Sequence, residues 1–124
     1  MEIARVRQAV ERHLDGFRRR VYTEREWSEC GKSFASLAGR FAAKEAVMKS
    51  LGVGGMKFRD IEIVRAPSGK PEVQLSGRMR ARADRLGVTA ISVTISHSRD
   101  NAVAVALAER ASSPLSTLTQ ESSL

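Results

Sequence analysis

The segment from residue 37 to residue 51 constrains the fold of this chain most strongly. It is rich in good helix formers and ends at a glycine-rich stretch, Gly52 to Gly55. At about 100° per residue its large apolar side chains share one stripe: Leu37, Phe41, Met48 and Leu51. The segment therefore predicts a long central helix that begins near Ser33, a suitable N-cap, and ends near Leu51.

Charged residues interrupt this apolar stripe. Lys44 falls inside the stripe, Glu45 lies on its shoulder, and Glu45 shares a face with Lys49 four residues later. On an arbitrary helix such a Glu–Lys pair is usually an exposed ion pair of little energetic weight. Here the carboxylate lies beside two cations and near glycines that let a ligand approach the backbone. The same pattern therefore also suits a site for a metal ion and phosphates.

Length and composition restrict the class of protein. The 124 residues fit one domain with an aliphatic core, since only 5% are aromatic, and a broad stacking platform for bases is not expected. A net charge of +7 favours an anionic partner. The single cysteine, Cys30, favours a reducing cytoplasm. No apolar run approaches the ~20 residues that a membrane span requires, so no membrane partner is expected.

The region before the central helix predicts two more helices. Residues 2 to about 20 place apolar side chains three and four apart, which predicts one amphipathic helix. On its other side Arg5, Arg12 and Arg19 recur every seven residues, and this arginine density favours an acidic protein partner over a merely solvated face. Thr23 and Glu26 have the spacing of a capping box, so a short helix begins at Thr23 and ends near Gly31.

The second half of the chain predicts strands around one helix. Residues 58–64 and 73–75 form a hairpin about a turn at 66–71, residues 78–86 form a basic helix that stops at Gly87, and residues 90–97 and 102–108 form a second hairpin. His97 ends a strand beside Ser96, Ser98 and Arg99. It is either structural or a phosphate contact. The domain spans 1–110, and residues 111–124 form a disordered Ser/Thr-rich tail.

Four segments together resemble the holo-acyl-carrier-protein synthases, the small phosphopantetheinyl transferases. They are Leu37 to Ala46 with Lys49 after it, Phe58-x-Asp60-Ile61-Glu62-Ile63, Gly69-Lys70-Pro71, and Ser92 to His97. Each segment alone is a weak signal, but their order and intervals match the family. The similarity covers roughly residues 2 to 109.

The resemblance implies an α+β fold, with an antiparallel sheet packed against a long central helix, in a homotrimer with active sites between subunits. It implies Mg²⁺-dependent transfer of 4′-phosphopantetheine from coenzyme A to a serine of apo-acyl carrier protein, as needed for fatty-acid biosynthesis. No nucleic acid is expected as a partner. This reaction builds charge on phosphate oxygens, which a cation and lysines stabilise without a covalent enzyme intermediate. Either a metal-bound water or a carboxylate could take the serine proton.

The family also implies roles for single residues. The residue matching Glu45 is a metal ligand, and the one matching Lys49 lies beside the reacting phosphates. The remaining matches assign coenzyme A contacts to the set Arg40, Lys44, Gly52, Pro71 and His97. Arginines of the first helix, matched best by Arg5 and Arg12, dock the carrier protein.

One departure from the family concerns the start of the chain. Family members open with a strand of the form Gly-x-Asp-x-x-Glu, whose aspartate is the second metal carboxylate, and Met1-Glu2-Ile3 aligns with the end of that motif. The aspartate is thus expected upstream of Met1, as if the start codon had been assigned too far downstream. Without that strand, an apolar sheet edge is expected to be exposed.

Two non-catalytic interpretations compete with the transferase. A basic module that binds nucleic acid or an acidic protein accounts for the charge, but not for Lys44, Glu45 and Lys49 on one helix. A degenerate family member that only binds a carrier protein accounts for the missing aspartate.

Overall fold

The computed structural model describes residues 1–54 and 57–111. Gly55 of the predicted glycine turn and the predicted tail from Ser112 therefore lie outside the described residues. The helices are α1 (Ile3–Arg12), α2 (Leu14–Val21), α3 (Glu24–Cys30), α4 (Phe34–Ser50) and α5 (Gly77–Leu86), and a 3-10 turn spans Phe58–Asp60. The strands are β1 (Ile61–Arg65), β2 (Pro71–Leu75), β3 (Val88–His97) and β4 (Ala102–Arg110).

Helices α3 and α4 begin directly after the predicted N-cap residues, Thr23 and Ser33. The Thr23 hydroxyl accepts the Glu26 backbone N–H at 3.2 Å, and Glu26 Oε1 accepts the Thr23 backbone N–H at 2.9 Å. Ser33 Oγ accepts the Ser36 N–H at 3.2 Å and so caps α4. Side-chain oxygens thus satisfy donors that the first turn of a helix leaves without partners, which fixes where each helix begins.

The prediction of one helix over residues 2–20 is wrong, because the chain breaks at His13 between α1 and α2. His13 has φ −136° and ψ 47°, outside the helical region. Gly16 and Asp15 follow, and both are weak helix formers. Phe17 of α2 then packs on Tyr22 and Phe41 of the core, with ring centroids 5.8 and 6.1 Å away. Arg19 consequently does not continue a straight line of arginines from α1.

Helix α4 is the centre of the molecule. Its N-terminal half joins α1, α2 and α3 in one buried cluster, which includes Val6, Val10, Tyr22 and Leu37. Its C-terminal half packs on the sheets and α5 in a second cluster, which includes Val47, Leu51, Ile61, Ile63 and Met79. Leu37, Met48 and Leu51 of the predicted apolar stripe are therefore buried and Phe41 is half-buried, and α4 joins the two halves of the core.

The strands form two separate antiparallel hairpins, β1–β2 and β3–β4, where a single sheet was predicted. Helix α5 is inserted between β2 and β3 in the chain. The strand predicted from residue 58 begins only at Ile61, because residues 58–60 turn as a 3-10 helix whose Phe58 stacks on Phe41 at 5.2 Å. The α+β class with sheets packed on a central helix is confirmed.

Gly39 lets α4 approach β3 closely. A Cβ built on Gly39 would lie 2.9 Å from Ile95 Cγ2, closer than carbon atoms pack. A hydrogen at this position therefore sets the spacing between the central helix and the β3–β4 hairpin.

The outer face of β4 is apolar and exposed. Val103, Val105 and Leu107 are 60%, 65% and 59% exposed, and β3 sets Ser96, Thr94 and Ser92 opposite them. The far edge of β4 is paired at its start, where Ile3 N–H donates to Asp100 O and Ala102 N–H donates to Met1 O. Elsewhere along this edge, no strand within residues 1–54 and 57–111 pairs with β4. Over the same ranges, no helix is both long and apolar enough to cross a membrane.

Candidate active site

Three of the predicted coenzyme A contacts converge on one cleft. Arg40 of α4, Pro71 at the start of β2 and His97 at the end of β3 line a cavity of about 300 Å³. Distant parts of the chain supply them, and the fold joins them because α4 crosses both hairpins. This volume is at the lower end of the range of small-molecule pockets, about 300–1,000 Å³, and suits a nucleotide-sized group.

Arg65 also lines this cleft, although the sequence analysis did not select it. It is the last residue of β1 and is exposed, and the hairpin register pairs it with Pro71. That register was the available signal, since a turn over 66–70 sets residue 65 opposite residue 71. Arg65 therefore adds a guanidinium that can reach a phosphate.

Arg40 is held by protein groups. It is only 6% exposed, and its NH2 group donates to Glu29 Oε1 at 3.0 Å. Its NH1 group donates to the backbone carbonyl of Ile63 on β1. The Glu29 carboxylate offsets much of the Arg40 charge, so Arg65 and His97 are the more accessible donors for an anion in this cleft.

Glu45 and Lys49 lie on another side of α4. Glu45 is half-buried and Lys49 is exposed. Five residues separate Arg40 from Glu45, which at about 100° per residue turns their directions roughly 140° apart. Within the described residues, Glu45 and Lys49 form no ion pair with each other or with another side chain. The ordinary surface ion pair is thus not formed, and a single chain does not bring Glu45 to the cleft lined by Arg40, Pro71 and His97.

The Glu45 carboxylate fits a magnesium ion. Across the described residues, no group of three or more His, Cys, Asp or Glu side chains could hold a metal by itself. Mg²⁺ commonly takes one or two protein carboxylates and completes its shell with water and phosphate oxygens. A half-buried carboxylate with no cationic partner in the described part of the chain matches this requirement, and Glu45 is the residue that would hold the ion.

Lys44 does not lie where a phosphate could reach it, which corrects the prediction of a coenzyme A contact. Its side chain is fully buried, with Nζ 2.5 Å from Glu26 Oε1, and it also donates to the carbonyl of Val21. Burial lowers the pKa of the Lys44 ammonium, and the adjacent Glu26 carboxylate opposes this shift. The lysine interrupts the apolar stripe because it meets a buried acid that the spacing rules of one helix do not reveal.

Gly52 lies just beyond the C-terminal end of α4. Its φ of +73° is left-handed, which favours glycine and turns the chain away from the helix. Arg82 of α5 reaches this point and donates to the Leu51 carbonyl at 3.0 Å. Gly52 is exposed one turn after Lys49, and it is not among the residues that line the cleft of Arg40, Pro71 and His97.

The predicted docking arginines are exposed on α1. Beside α2, a larger cavity of about 580 Å³ has an apolar floor that includes Phe17, Phe41 and Phe58. Its rim is basic and consists of Arg19, Arg20, Lys57 and Arg59. Phe41 lies one helical turn before Glu45, so this cavity is near the carboxylate.

Comparison with known proteins identifies the family. A model described as the 4′-phosphopantetheinyl transferase superfamily matches residues 1–108. The holo-[acyl-carrier-protein] synthase of Herpetosiphon aurantiacus is 45% identical over 113 residues, which cover 84% of this chain and 89% of the relative. That of Moorella thermoacetica is 46% identical over 114 residues, covering 88% of each.

Solved structures agree with this relationship. The holo-[acyl-carrier-protein] synthase of Helicobacter pylori in complex with coenzyme A superposes with a TM-score of 0.79 at 32% identity, covering 88% of this chain and 95% of that one. The Plasmodium yoelii holo-ACP-synthase gives a TM-score of 0.81 at 29% identity, covering 90% and 91%. The chain therefore belongs to the 4′-phosphopantetheinyl transferase superfamily and is an enzyme of that class.

Proposed function

We propose that this enzyme transfers 4′-phosphopantetheine from coenzyme A to a serine of apo-acyl carrier protein, with Mg²⁺, and so supplies holo-carrier protein for fatty-acid biosynthesis. The serine hydroxyl loses its proton to a general base, and its oxygen forms a bond to the β-phosphorus of coenzyme A while the bond from that phosphorus to the leaving 3′,5′-ADP breaks. The cytoplasm, predicted from the lone cysteine, is the proposed location.

The observation that carries this proposal is the convergence of Arg40, Pro71 and His97 on one cleft. These residues come from three separate segments of the chain, α4, β2 and β3. Arg65 adds a fourth contact and a positive charge. A nucleotide bearing a 3′-phosphate would bind there through guanidinium and imidazole donors.

Glu45 and Lys49 would act on the diphosphate. Bound Mg²⁺ would stabilise the negative charge that develops on the phosphate oxygens during transfer. Glu45 would hold that ion, and Lys49, which is exposed, would donate to a phosphate oxygen. The backbone at Gly52 is open to the same region.

The carrier protein would dock on the helical side of the molecule. Arg5 and Arg12 are exposed on α1 and suit an acidic surface. The cavity rimmed by Arg19, Arg20, Lys57 and Arg59 would accept an apolar side chain of the same partner on its phenylalanine floor. Since Phe41 precedes Glu45 by one turn, this docking position brings the partner near the metal ligand.

A homotrimer with shared sites accounts for two features of the single chain. The nucleotide cleft and Glu45 lie on different sides of α4, so the cleft of one subunit would meet Glu45 of another. The exposed Val103, Val105 and Leu107 stripe supports such an assembly, because contiguous apolar surface usually marks an interface.

A transfer assay with matched carboxylate variants tests the proposal. Glu45→Gln is expected to lower the rate about 100-fold or more, because the amide binds Mg²⁺ poorly, while the fold stays intact. Glu72→Gln, at an exposed position of β2, removes the same charge and is expected to leave the rate unchanged. Full activity in excess chelator would contradict the metal role.

A binding assay on random DNA separates the enzyme from a basic binding module. A module predicts tight binding that weakens steeply with salt. The transferase predicts weak DNA binding that 3′,5′-ADP does not affect.

A further inference from the structure

Glu26 caps α3 and also contacts two other elements of the fold. Its side chain is fully buried, and both of its oxygens are used. Oε1 accepts the Thr23 N–H at 2.9 Å and the Lys44 ammonium at 2.5 Å, and Oε2 accepts the Ile63 N–H at 2.9 Å. One carboxylate therefore ties the start of α3 to β1 and to α4.

Lys44 extends this connection to α2. Its ammonium donates to the Val21 carbonyl, the last residue of that helix, as well as to Glu26. Residues from α2, α3, α4 and β1 thus meet at one ion pair, and each bond has a defined direction. Apolar contacts alone permit small rotations of a helix, whereas these bonds fix one orientation of α4.

Stability alone does not account for this pair. A buried ion pair loses the hydration of both charges, and well-packed apolar residues of similar volume often serve stability as well or better. Removal of one partner is nevertheless costly, because the other charge stays buried. The orientation that the pair imposes is therefore the more informative property.

Glu45 is the next residue after Lys44, so its direction follows the rotation of α4. Side-chain atoms lie about 5–6 Å from a helix axis, and a rotation of about 20° would move them by about 2 Å. A misplacement of about 1 Å at a reacting centre can cost about 100-fold in rate. The displacement of Glu45 that the reaction tolerates is thus smaller than the displacement that a rotation of α4 would cause.

We propose that Glu26 and Lys44 are positioning residues, which fix the rotation of α4 and thereby hold Glu45 where it binds the metal ion. This inference rests on the proposed function, since Glu45 is the proposed metal ligand. Both side chains are fully buried, so neither is open to a substrate or an ion from solvent. Their substitution should therefore change the affinity for the metal more than it changes the fold.

The test is a titration of the enzyme–coenzyme A complex with Mn²⁺, a spectroscopic substitute for Mg²⁺, by electron paramagnetic resonance. The paired variant Glu26→Gln/Lys44→Met removes both charges together and avoids a lone buried ion. We expect it to unfold cooperatively yet to bind Mn²⁺ about 10- to 100-fold more weakly. In the transfer assay, the Mg²⁺ concentration for half-maximal rate should rise in parallel, and the rate at saturating Mg²⁺ should recover.

Met79→Ala is the matched control. Met79 is fully buried in the cluster beside α4, and its truncation leaves a cavity that destabilises the fold without a change of charge. We expect it to keep the Mn²⁺ affinity of the wild type at comparable loss of stability. Glu26→Gln/Lys44→Gln provides a second uncharged variant should the first pair prove too unstable, since an amide at position 44 keeps a donor for buried acceptors.

The outcomes separate the two proposals. Wild-type Mn²⁺ affinity in a folded Glu26→Gln/Lys44→Met variant overturns the positioning role, and so does an equal loss in Met79→Ala. Failure of both Glu26 variants to fold would make the pair a requirement of the fold and overturn the inference too. If Glu45→Gln binds Mn²⁺ like the wild type, the metal role of Glu45 is itself wrong.

Discussion

The Tyr22 hydroxyl is a buried polar group that hydrogen-bonds to the backbone of α4. Tyr22 is 1% exposed, and its OH donates to the Leu37 carbonyl of α4 at 2.7 Å. Burial raises the pKa of Tyr22 above its ordinary value, and the nearby Cys30 and Glu26 raise it further. On raising the pH, the Tyr22 phenol therefore loses its proton in the unfolded chain before it does so in the native protein.

Tyr22→Phe should lower the free energy of unfolding by about 1 kcal/mol near pH 7, because the hydrogen bond from the Tyr22 hydroxyl to the Leu37 carbonyl is lost. The difference should shrink above about pH 10, where the unfolded wild type releases the Tyr22 proton and native stability falls. Denaturant titrations of both proteins between pH 7 and 11 measure this. A constant difference across that range would show that Tyr22 titrates alike in both states.

Single residues also show where sequence reasoning stops. The spacing of Thr23 and Glu26 predicts a cap, and the structure has that cap. The same spacing says nothing of Lys44, eighteen positions later, which binds the same carboxylate. Arg65 was missed because its function depends on a cleft that three distant segments form. Contacts within one element follow from periodicity, whereas contacts between elements depend on packing.

At the scale of elements, the spacing of α4 on β3 depends on Gly39. Gly39→Ala would gain about 1 kcal/mol of helix propensity but lose about 1–3 kcal/mol through the clash with Ile95. We expect a net loss of stability and weaker binding of coenzyme A, since Gly39 also lines the cleft. Thermal unfolding and coenzyme A titration measure the two effects.

Gly16→Ala on α2 is the control of opposite sign. A Cβ built on Gly16 meets nothing within 4 Å, so only the propensity gain of about 1 kcal/mol remains. An increase in stability for both variants would show that the Ile95 side chain moves aside freely.

The sequence predicted the elements better where a cap or stop residue marks their ends. Ser33 and Gly87 bound α4 and α5 as predicted. The break at His13 was missed because the apolar spacing continues through it, and the core contacts of Phe17 then decide the direction of α2. The 3-10 turn at residues 58–60 was missed for a similar reason. Phe58 stacks on Phe41 of α4, and this contact between distant residues determines the local backbone more than the strand pattern does.

At the scale of the whole molecule, the apolar stripe on β4 determines the assembly in our proposal. Val105→Lys places a charge in the centre of that stripe, at a position 65% exposed in the single chain. We expect sedimentation to change from a trimer to a monomer, with the circular dichroism spectrum unchanged and transfer activity lost. Gln74→Lys, which adds the same charge at an exposed position of β2, should remain trimeric and active.

A monomeric and fully active Val105→Lys variant would contradict the sharing of sites between subunits. If the Val105→Lys variant stays trimeric, the subunit interface lies on another surface of the molecule.

The arrangement of the aromatic residues makes tryptophan fluorescence a probe of binding. The chain has one tryptophan and one tyrosine, and the rings of Trp27 and Tyr22 lie 5.9 Å apart. The Arg18 guanidinium covers Trp27 at 4.7 Å, and contacts through Tyr22, Phe17 and Phe41 connect this ring to the face of α4 that bears Glu45. The fluorescence of Trp27 should therefore change when a carrier protein binds at α2. The rate of association could then be measured without an attached dye.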